Sequence, residues 1–301
     1  MKTLLLDMDG VITSERVYWD SAGLVAAKTL GEKEDVAVAR KILPTATIKR
    51  IKSFGINSNW DLAYIVSALL SKGVGLQKFI EAMDKTGARG FDYLDILGEL
   101  AGEEFKEKGQ FWDDVLVDFQ AYFDKLKKTE EPLLPLDKIK KSLEELKGLK
   151  DSKGMNLKLG IVTGRPRDEI MEPLNRWGLT GYFDGPISVF EDVKDAERSL
   201  RKKGLEGELL KPHPLPYLLA IVGGKKAMEM TLSGDLELGP AGEDFIILGD
   251  STSDALAAQK MGVKMIGLLT GVSTEADLKK AGCARIAKDL AELPRVLKEI
   301  L

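Results

Sequence analysis

The pattern of apolar and polar positions predicts short buried strands separated by helices. Largely apolar runs at residues 4–6, 157–162, 245–248 and 263–268 predict strands that are buried on both faces. Strands that alternate with helices indicate an α/β fold, in which a parallel sheet core carries helices on both faces. The helices of this core are predicted at 136–149, 167–177, 216–222, 252–261, 275–281 and 289–301, and short strands at 187–189 and 284–286.

A long helical stretch interrupts this alternation after the first strand. No convincing strand pattern appears from about residue 15 until the proline-containing segment 130–135. We therefore predict a core domain of residues 1–14 and 133–301 and a helical domain of residues 15–132 inserted after the first strand. Helical spacing of apolar residues within the insertion is found at 26–43, 60–70, 76–83, 93–100 and 111–126. In the core, the Gly-rich segment 223–242 predicts an exposed loop, or a helix extension followed by a loop.

Composition restricts the classes of partner. The 301 residues are 44% hydrophobic and 31% charged, with a net charge of −4. This mild acidity argues against nucleic acid or an anionic membrane as the main partner. No run of eighteen apolar residues exists, so no membrane span is expected.

The numbers of cysteine, asparagine and glutamine residues indicate the cellular compartment and the type of source organism. The lone Cys283 excludes an intrachain disulfide framework, and we expect a cytoplasmic protein. Asn and Gln are scarce while Lys and Glu are abundant, which resembles the composition of thermophile proteins.

Paired carboxylates follow the first predicted strand directly. Asp7 and Asp9 are two residues apart and precede Gly10, so on a regular strand both side chains would share a face. Burying like charges this close is costly unless a cation neutralises them or one keeps its proton. The alternative is an acidic turn that caps the next helix.

Three later segments carry polar groups at comparable places. Thr163-Gly164 ends the second strand, and Gly249-Asp250 ends a later one, with Asp254 four residues on. Lys211 precedes Pro212 between these two strands. Ligand sites of parallel α/β sheets form outside the carboxyl ends of the strands, so we expect these groups to meet there.

The order of these motifs resembles the haloacid dehalogenase superfamily of phosphohydrolases. The resemblance covers Asp7-x-Asp9, Thr163-Gly164, Lys211-Pro212 and Gly249-Asp250 with Asp254, in the order that the superfamily uses. It implies a Rossmann-like core, and it implies that the helical insertion is a cap of the first type (C1).

The resemblance implies phosphate monoester chemistry. Asp7 would be the nucleophile that forms an aspartyl-phosphate, and Asp9 the general acid and base. Thr163, the backbone N–H of Gly164 and Lys211 would bind the phosphoryl group. Ordinary alternatives exist, because Thr163 could cap a helix and Lys211 could be a solvated lysine.

A magnesium site is the implied cofactor site. Mg²⁺ prefers about six oxygen ligands, which the carboxylates of Asp7 and Asp250 and the backbone carbonyl of Asp9 would supply in part. Asp254 could ligate the ion directly or orient its waters. Asp250 has a second interpretation as a helix N-cap after Gly249.

Several other residues are less specific candidates for a functional role. Asn57, Asn59 and Trp60 in the insertion could select the substrate, although a capping residue and a packed indole would produce the same pattern. Arg165 could contact phosphate or pair with Asp168 or Glu169. For His213, the single histidine, a structural or exposed position is favoured over a catalytic role.

We therefore predict a Mg²⁺-dependent phosphatase that hydrolyses a small phosphorylated metabolite and acts as a monomer or homodimer. A phosphomutase or another phosphotransferase would use the same residues. A noncatalytic phosphometabolite-binding protein is a further alternative. A Rossmann oxidoreductase is disfavoured, because no Gly-x-Gly-x-x-Gly turn follows the first strand.

Overall fold

The chain forms two compact units. The computed structural model describes residues 2–56 and 58–301. The core unit comprises residues 1–14 and 131–301, and the inserted unit comprises residues 15–130. The insertion thus leaves and re-enters the core unit between its first and second strands.

The core unit is built on a parallel sheet of six strands. Across the sheet, the six strands stand in the order third, second, first, fourth, fifth and sixth along the chain, and the paired neighbours all run parallel. The predicted α/β fold, with a Rossmann-like parallel sheet, is confirmed. The strands are β1 (Thr3–Leu6), β2 (Lys158–Val162), β3 (Ile187–Ser188), β4 (Phe245–Gly249), β5 (Lys264–Leu268) and β6 (Arg285–Ala287).

Both faces of the sheet are covered by apolar side chains. Within β1, Leu4 and Leu6 belong to one hydrophobic cluster and Leu5 to a second one, as the two-residue period of a strand requires. All three leucines are fully buried. The helices of the core unit are α8 (Leu136–Gly148), α9 (Arg167–Arg176), α10 (Phe190–Arg201), α11 (Leu215–Val222), α12 (Gly224–Ser233), α13 (Thr252–Met261), α14 (Glu275–Lys280) and α15 (Leu293–Lys298).

The described residues of the inserted unit form helices joined by turns and loops. Its first helix packs against the second, fourth and seventh. The helices are α1 (Arg16–Thr29), α2 (Val36–Ile42), α3 (Thr45–Lys52), α4 (Asn59–Ser71), α5 (Leu76–Thr86), α6 (Tyr93–Ala101) and α7 (Gln110–Leu126). No helix in residues 2–56 and 58–301 combines the length and apolarity that crossing a bilayer requires.

Two details refine what the sequence predicted. The helical pattern at 26–43 is divided between α1 and α2, because Gly31 adopts a positive φ of 68° and a charged turn follows it. In segment 223–242, residues 224–233 form α12, so the alternative of a helix followed by a loop is correct.

The strand order locates the site. The chain proceeds outward from β1 through β2 to β3, and then returns to the other side of β1 with β4. Strand order therefore reverses at β1, and such a switch point opens a crevice at the carboxyl ends of the strands. The residues that follow β1, β2 and β4 all lie at this edge of the sheet.

Candidate active site

Asp7 is the first residue after β1. Its backbone N–H donates to the Leu248 carbonyl at 2.8 Å, and its Oδ1 accepts from the Met8 N–H at 2.8 Å. These bonds fix the carboxylate at the switch point of the sheet. Burial raises the pKa of Asp7 to about 7, and Lys211 opposes that rise while Asp254 and Asp9 add to it.

Lys211 reaches the same place from the connection between α10 and α11. Its Nζ lies 3.1 Å from Asp7 Oδ1 and 2.9 Å from Asp254 Oδ1. It also donates to the Val162 carbonyl at 2.8 Å, at the end of β2. Burial lowers the pKa of Lys211, but the two carboxylates outweigh burial and raise it above its ordinary value, so the side chain is a fixed positive charge.

Asp254 anchors Lys211 from the first turn of α13. The side chain is fully buried, and its Oδ1 also accepts a hydrogen bond from the Tyr217 hydroxyl at 2.7 Å. Its Oδ2 accepts from the Ser251 hydroxyl at 2.8 Å, and Ser251 caps α13. Asp254 thus contacts Lys211, Tyr217 and Ser251 at the same time.

Asp250 follows β4 and is held by the loop after β5. Its Oδ2 accepts from the Val272 N–H at 2.9 Å. A Cβ on Gly10 or Gly271 would overlap the Asp250 carboxylate, and Gly10 has a φ of 70°. The Thr270 hydroxyl donates to the Gly10 carbonyl, which ties this loop to the residue after Asp9.

The loop at 270–272 was not singled out from the sequence. The available signal was the Thr270-Gly271 pair, which follows the predicted strand 263–268 after Leu269 and resembles the Thr163-Gly164 pair. Tyr217 was also missed, because its fully buried hydroxyl acts on a residue from a different helix.

The carboxylate cluster fits a divalent cation. Ligand oxygens of Asp7, Asp250 and Asp254 all lie within 4.8 Å of one another, and all three residues are buried. Three carboxylates this close repel one another, and the ammonium group of Lys211 lies in contact with two of them. Hard oxygen donors are the ligands that Mg²⁺ and similar cations prefer. The residues present are therefore suited to holding a metal.

Asp9 is held by an arginine rather than left to solvent. Arg165 Nε lies 3.0 Å from Asp9 Oδ2, and Arg165 Nη2 lies 2.5 Å from Asp9 Oδ1. The Thr13 hydroxyl donates to the same Oδ1 at 2.7 Å. Of the two partners that the sequence suggested for Arg165, Glu169 accepts from Nη1 through its backbone carbonyl at 3.4 Å. Its contacts with Asp9 were not evident from the sequence, because 156 residues separate the two.

Thr163 and Gly164 directly follow β2 at the carboxyl edge of the sheet. Thr163 is 2% exposed, and its Oγ1 accepts from the Arg165 N–H at 3.2 Å, which leaves the hydroxyl proton for another acceptor. Gly164 is exposed and has open space where a Cβ would stand. Helix α9 begins at Arg167 with Pro166 as its N-cap, so Thr163 does not cap that helix.

His213 has a structural contact in this connection. Its Nδ1 accepts a hydrogen bond from the Leu215 N–H at 3.0 Å, at the start of α11. Burial, and next the Lys260 charge, lower the pKa of His213 to about 4, so the imidazole is neutral near pH 7.

The predicted selectivity residues lie in the inserted unit. Asn57 lies outside the described residues. The N-cap of α4 is Ser58, whose side chain accepts from the Asp61 N–H at 3.1 Å. Asn59 donates to Glu15 Oε1 at 3.3 Å, while its buried Oδ1 accepts no hydrogen bond from the described part of the chain. Trp60 is partly buried in the first turn of α4.

Comparison with known proteins places the chain in a family. The model of the haloacid dehalogenase-like hydrolases matches residues 79–268. This segment contains Thr163, Lys211 and Asp250, whereas Asp7 and Asp9 precede it.

Two curated proteins are similar over part of the chain. Pyrophosphatase PpaX from Bacillus pumilus is 28% identical over 151 residues, which span 50% of this chain and 55% of that protein. A phosphorylated carbohydrates phosphatase from Thermotoga maritima is 28% identical over 165 residues, or 53% of this chain and 62% of that protein. The chain thus matches a little over half the length of these relatives.

Solved structures share the fold over the whole chain. A structural-genomics target has a TM-score of 0.72 at 24% identity and covers 100% of this chain and 99% of its own. A candidate β-phosphoglucomutase from Thermotoga maritima has a TM-score of 0.53 at 21% identity and covers 100% of both chains. The family match confirms the resemblance inferred from the four motifs. Because the family model covers more than half of the sequence, the chain belongs to the haloacid dehalogenase-like hydrolases.

Proposed function

We propose that this protein is a Mg²⁺-dependent phosphatase that hydrolyses a small phosphorylated metabolite through an aspartyl-phosphate on Asp7. The observation that carries the proposal is the contact between Asp7 Oδ1 and Lys211 Nζ, 3.1 Å apart at the switch point of the sheet. A carboxylate beside a fixed ammonium can accept a phosphoryl group whose developing charge the ammonium neutralises. The names of the curated relatives, a pyrophosphatase and a phosphorylated carbohydrates phosphatase, support this class of reaction.

The first step transfers the phosphoryl group to the enzyme. An Asp7 carboxylate oxygen attacks phosphorus while the ester P–O bond breaks, and the leaving oxygen takes a proton from Asp9. Lys211, the Thr163 hydroxyl and the Gly164 N–H would hold the phosphoryl oxygens. The product of this step is an aspartyl-phosphate and a free alcohol.

The second step releases phosphate. Water attacks the phosphorus of the aspartyl-phosphate and gives a proton to Asp9, which restores Asp7 and frees inorganic phosphate. Asp7 and Asp250, with the Asp9 carbonyl, would hold the cation, and Asp254 would support the site through Lys211. A bound Mg²⁺ would supply positive charge for the phosphoryl oxygens and favour the ionised form of Asp7.

Release of inorganic phosphate from para-nitrophenyl phosphate and from a panel of phosphorylated metabolites tests this function. We expect turnover with MgCl₂, loss of turnover with EDTA, and a fall of at least about a thousandfold in Asp7→Asn. Asp235→Asn, which alters an exposed carboxylate, is the matched control. Appreciable activity in Asp7→Asn would remove Asp7 as the nucleophile, and binding without turnover at any pH or metal would favour a noncatalytic binding protein.

The same assay separates hydrolysis from transfer to a second hydroxyl. A phosphomutase would convert one sugar phosphate into another without stoichiometric phosphate release. The resemblance of the fold to a candidate β-phosphoglucomutase is the reason to include sugar phosphates in the panel. Phosphate release that matches substrate loss supports the phosphatase.

We also propose that the inserted unit serves as the C1 cap and selects the substrate through Asn59 and Trp60. The buried Oδ1 of Asn59 accepts no hydrogen bond within residues 2–56 and 58–301, which supports this role, since a substrate hydroxyl could donate to it. Asn59→Ala and Trp60→Leu should change the ranking of metabolites while altering turnover of para-nitrophenyl phosphate less than about threefold. If both variants lower only the melting temperature and keep the ranking, these residues are packing residues.

A further inference from the structure

Arg165 is a buried arginine at the edge of the sheet with no role in the steps described above. Its side chain is 3% exposed, and it approaches both oxygens of Asp9 through two guanidinium nitrogens. Such paired contacts between a guanidinium and a carboxylate fix direction as well as distance, because both groups are planar.

The backbone of Arg165 is itself anchored. Its N–H donates to Thr163 Oγ1 at 3.2 Å, and its carbonyl accepts from the Phe190 N–H at 3.1 Å, at the start of α10. The guanidinium therefore projects from a loop whose backbone is bound on one side to Thr163, a candidate for binding the phosphoryl group, and on the other side to the start of α10. A rigid donor of this kind can set the orientation of the group that it holds.

Asp9 is the group whose orientation matters most in the proposed reaction. It must exchange a proton with the leaving oxygen and then with water, and both transfers require a heavy-atom separation near 2.6–3.2 Å. On the other side of the carboxylate, the Thr13 hydroxyl donates to Asp9 Oδ1 at 2.7 Å. Arg165 and Thr13 together leave the carboxylate little freedom to rotate.

We propose that Arg165 is a positioning residue that aims the Asp9 carboxylate at the leaving oxygen, and that it is not a ligand of the phosphoryl group. The proposal rests on the proposed function, since it assigns to Arg165 an effect that passes through Asp9. Loss of Arg165 should then harm only the part of catalysis that Asp9 supplies. Substrates with basic leaving alcohols depend on proton donation, whereas para-nitrophenolate departs with little help.

A double-mutant cycle over a series of leaving groups tests this. The variants are Arg165→Gln, Asp9→Asn and the double variant, assayed on aryl phosphates of increasing phenol basicity and on an alkyl phosphate. For Arg165→Gln we expect kcat to fall about 10- to 100-fold on the alkyl phosphate and less than about threefold on para-nitrophenyl phosphate, with KM nearly unchanged. The double variant should be no slower than Asp9→Asn alone.

Controls separate positioning from folding and from phosphate binding. Arg167→Gln alters an exposed arginine two residues on, paired with Asp192 at 3.3 Å, and should match the wild type. Arg165→Lys keeps the positive charge but not the paired contacts, so its rate on the alkyl phosphate should lie between those of Arg165→Gln and the wild type. It replaces Arg165→Gln in the test if Arg165→Gln does not fold.

Two results would overturn the proposal. The first is that the losses of kcat in the two single variants multiply in the double variant, or that Arg165→Gln lowers kcat equally for all leaving groups and raises KM. Arg165 would then be a phosphoryl ligand, and the role of Asp9 would stand. Wild-type rates in Asp9→Asn on every substrate would overturn the acid–base role of Asp9 and, with it, that of Arg165.

Discussion

Tyr217 and Asp254 form a buried hydrogen bond, 2.7 Å from the hydroxyl to Oδ1, on the same carboxylate oxygen that lies 2.9 Å from Lys211 Nζ. Lys211 Nζ also lies 5.0 Å from the centroid of the Tyr217 ring, within the range of a cation–π contact. The tyrosine therefore holds both members of the ion pair. Burial, followed by the nearby Asp254 charge, raises the pKa of Tyr217 well above its ordinary value, so the hydroxyl remains a donor.

Removing that hydroxyl should loosen Lys211. In Tyr217→Phe a buried charged acceptor loses one donor, which should lower the free energy of unfolding by about 1–3 kcal/mol. We also expect kcat to fall several-fold, because Lys211 is less well fixed. Urea unfolding and phosphate-release kinetics measure the two effects. Tyr182→Phe, which removes the hydroxyl bound to Glu144 at 2.8 Å near the surface, is the control and should change neither quantity appreciably.

Gly10 should tolerate no side chain. Gly10→Ala places a Cβ into the Asp250 carboxylate at a φ of 70°, so it combines backbone strain with a collision. Gly31→Ala has a similar φ of 68° but meets nothing within 4 Å, and it should cost only the strain of about 1–2 kcal/mol. Urea unfolding should show an additional loss of about 1–3 kcal/mol for Gly10→Ala. Equal losses in the two variants would mean that Asp250 moves aside without cost.

Cation binding should depend on Asp250 more than on the Asp9 side chain. Asp250→Asn removes a carboxylate ligand from the cluster, and we expect Mg²⁺ affinity to fall by more than about tenfold. Asp9→Asn keeps the backbone carbonyl that would contact the ion, so its affinity should fall less. Calorimetric titration with MgCl₂ compares the two, with Asp235→Asn as reference. Equal losses would contradict the roles assigned to these residues.

His213 should make stability depend on pH in acid. Its folded pKa of about 4 lies below the ordinary value of 6.5, so the unfolded chain takes up the proton first as pH falls. The stabilisation is complete above about pH 6.5, declines as the pH falls, and levels off below about pH 4. Protonation at Nδ1 would also remove the acceptor for the Leu215 N–H.

Urea unfolding between pH 4 and pH 8 checks this expectation against His213→Asn. The asparagine carbonyl can accept from the Leu215 N–H without titrating, so the variant should show a shallower loss of stability between about pH 6.5 and 4. Carboxylates that titrate in the same range contribute equally to both proteins. Parallel curves would show that His213 takes up its proton at the same pH in the folded and unfolded chains, contrary to the prediction.

Local patterns in the sequence predicted much of the fold. The apolar run that ends at Asp7 predicted a buried strand because uninterrupted apolar residues can be buried on both faces of a sheet. The parallel arrangement followed from the alternation of strands with helices. The helical character of the insertion was likewise evident, whereas the break near Gly31 was not, since helical periodicity continues on both sides of it.

The sequence by itself also indicated which strand ends carry functional groups, because Asp7 and Thr163 directly follow largely apolar runs and Asp250 follows one after Gly249. Only the tertiary structure decided which groups bind the acidic side chains of the site. Arg165 binds Asp9 across 156 residues of sequence, Tyr217 binds Asp254 across 37, and the Val272 N–H binds Asp250 across 22. Spacing along a chain shows which side chains share an element. Partners brought together by a parallel sheet are set by strand order and packing, which no local pattern encodes.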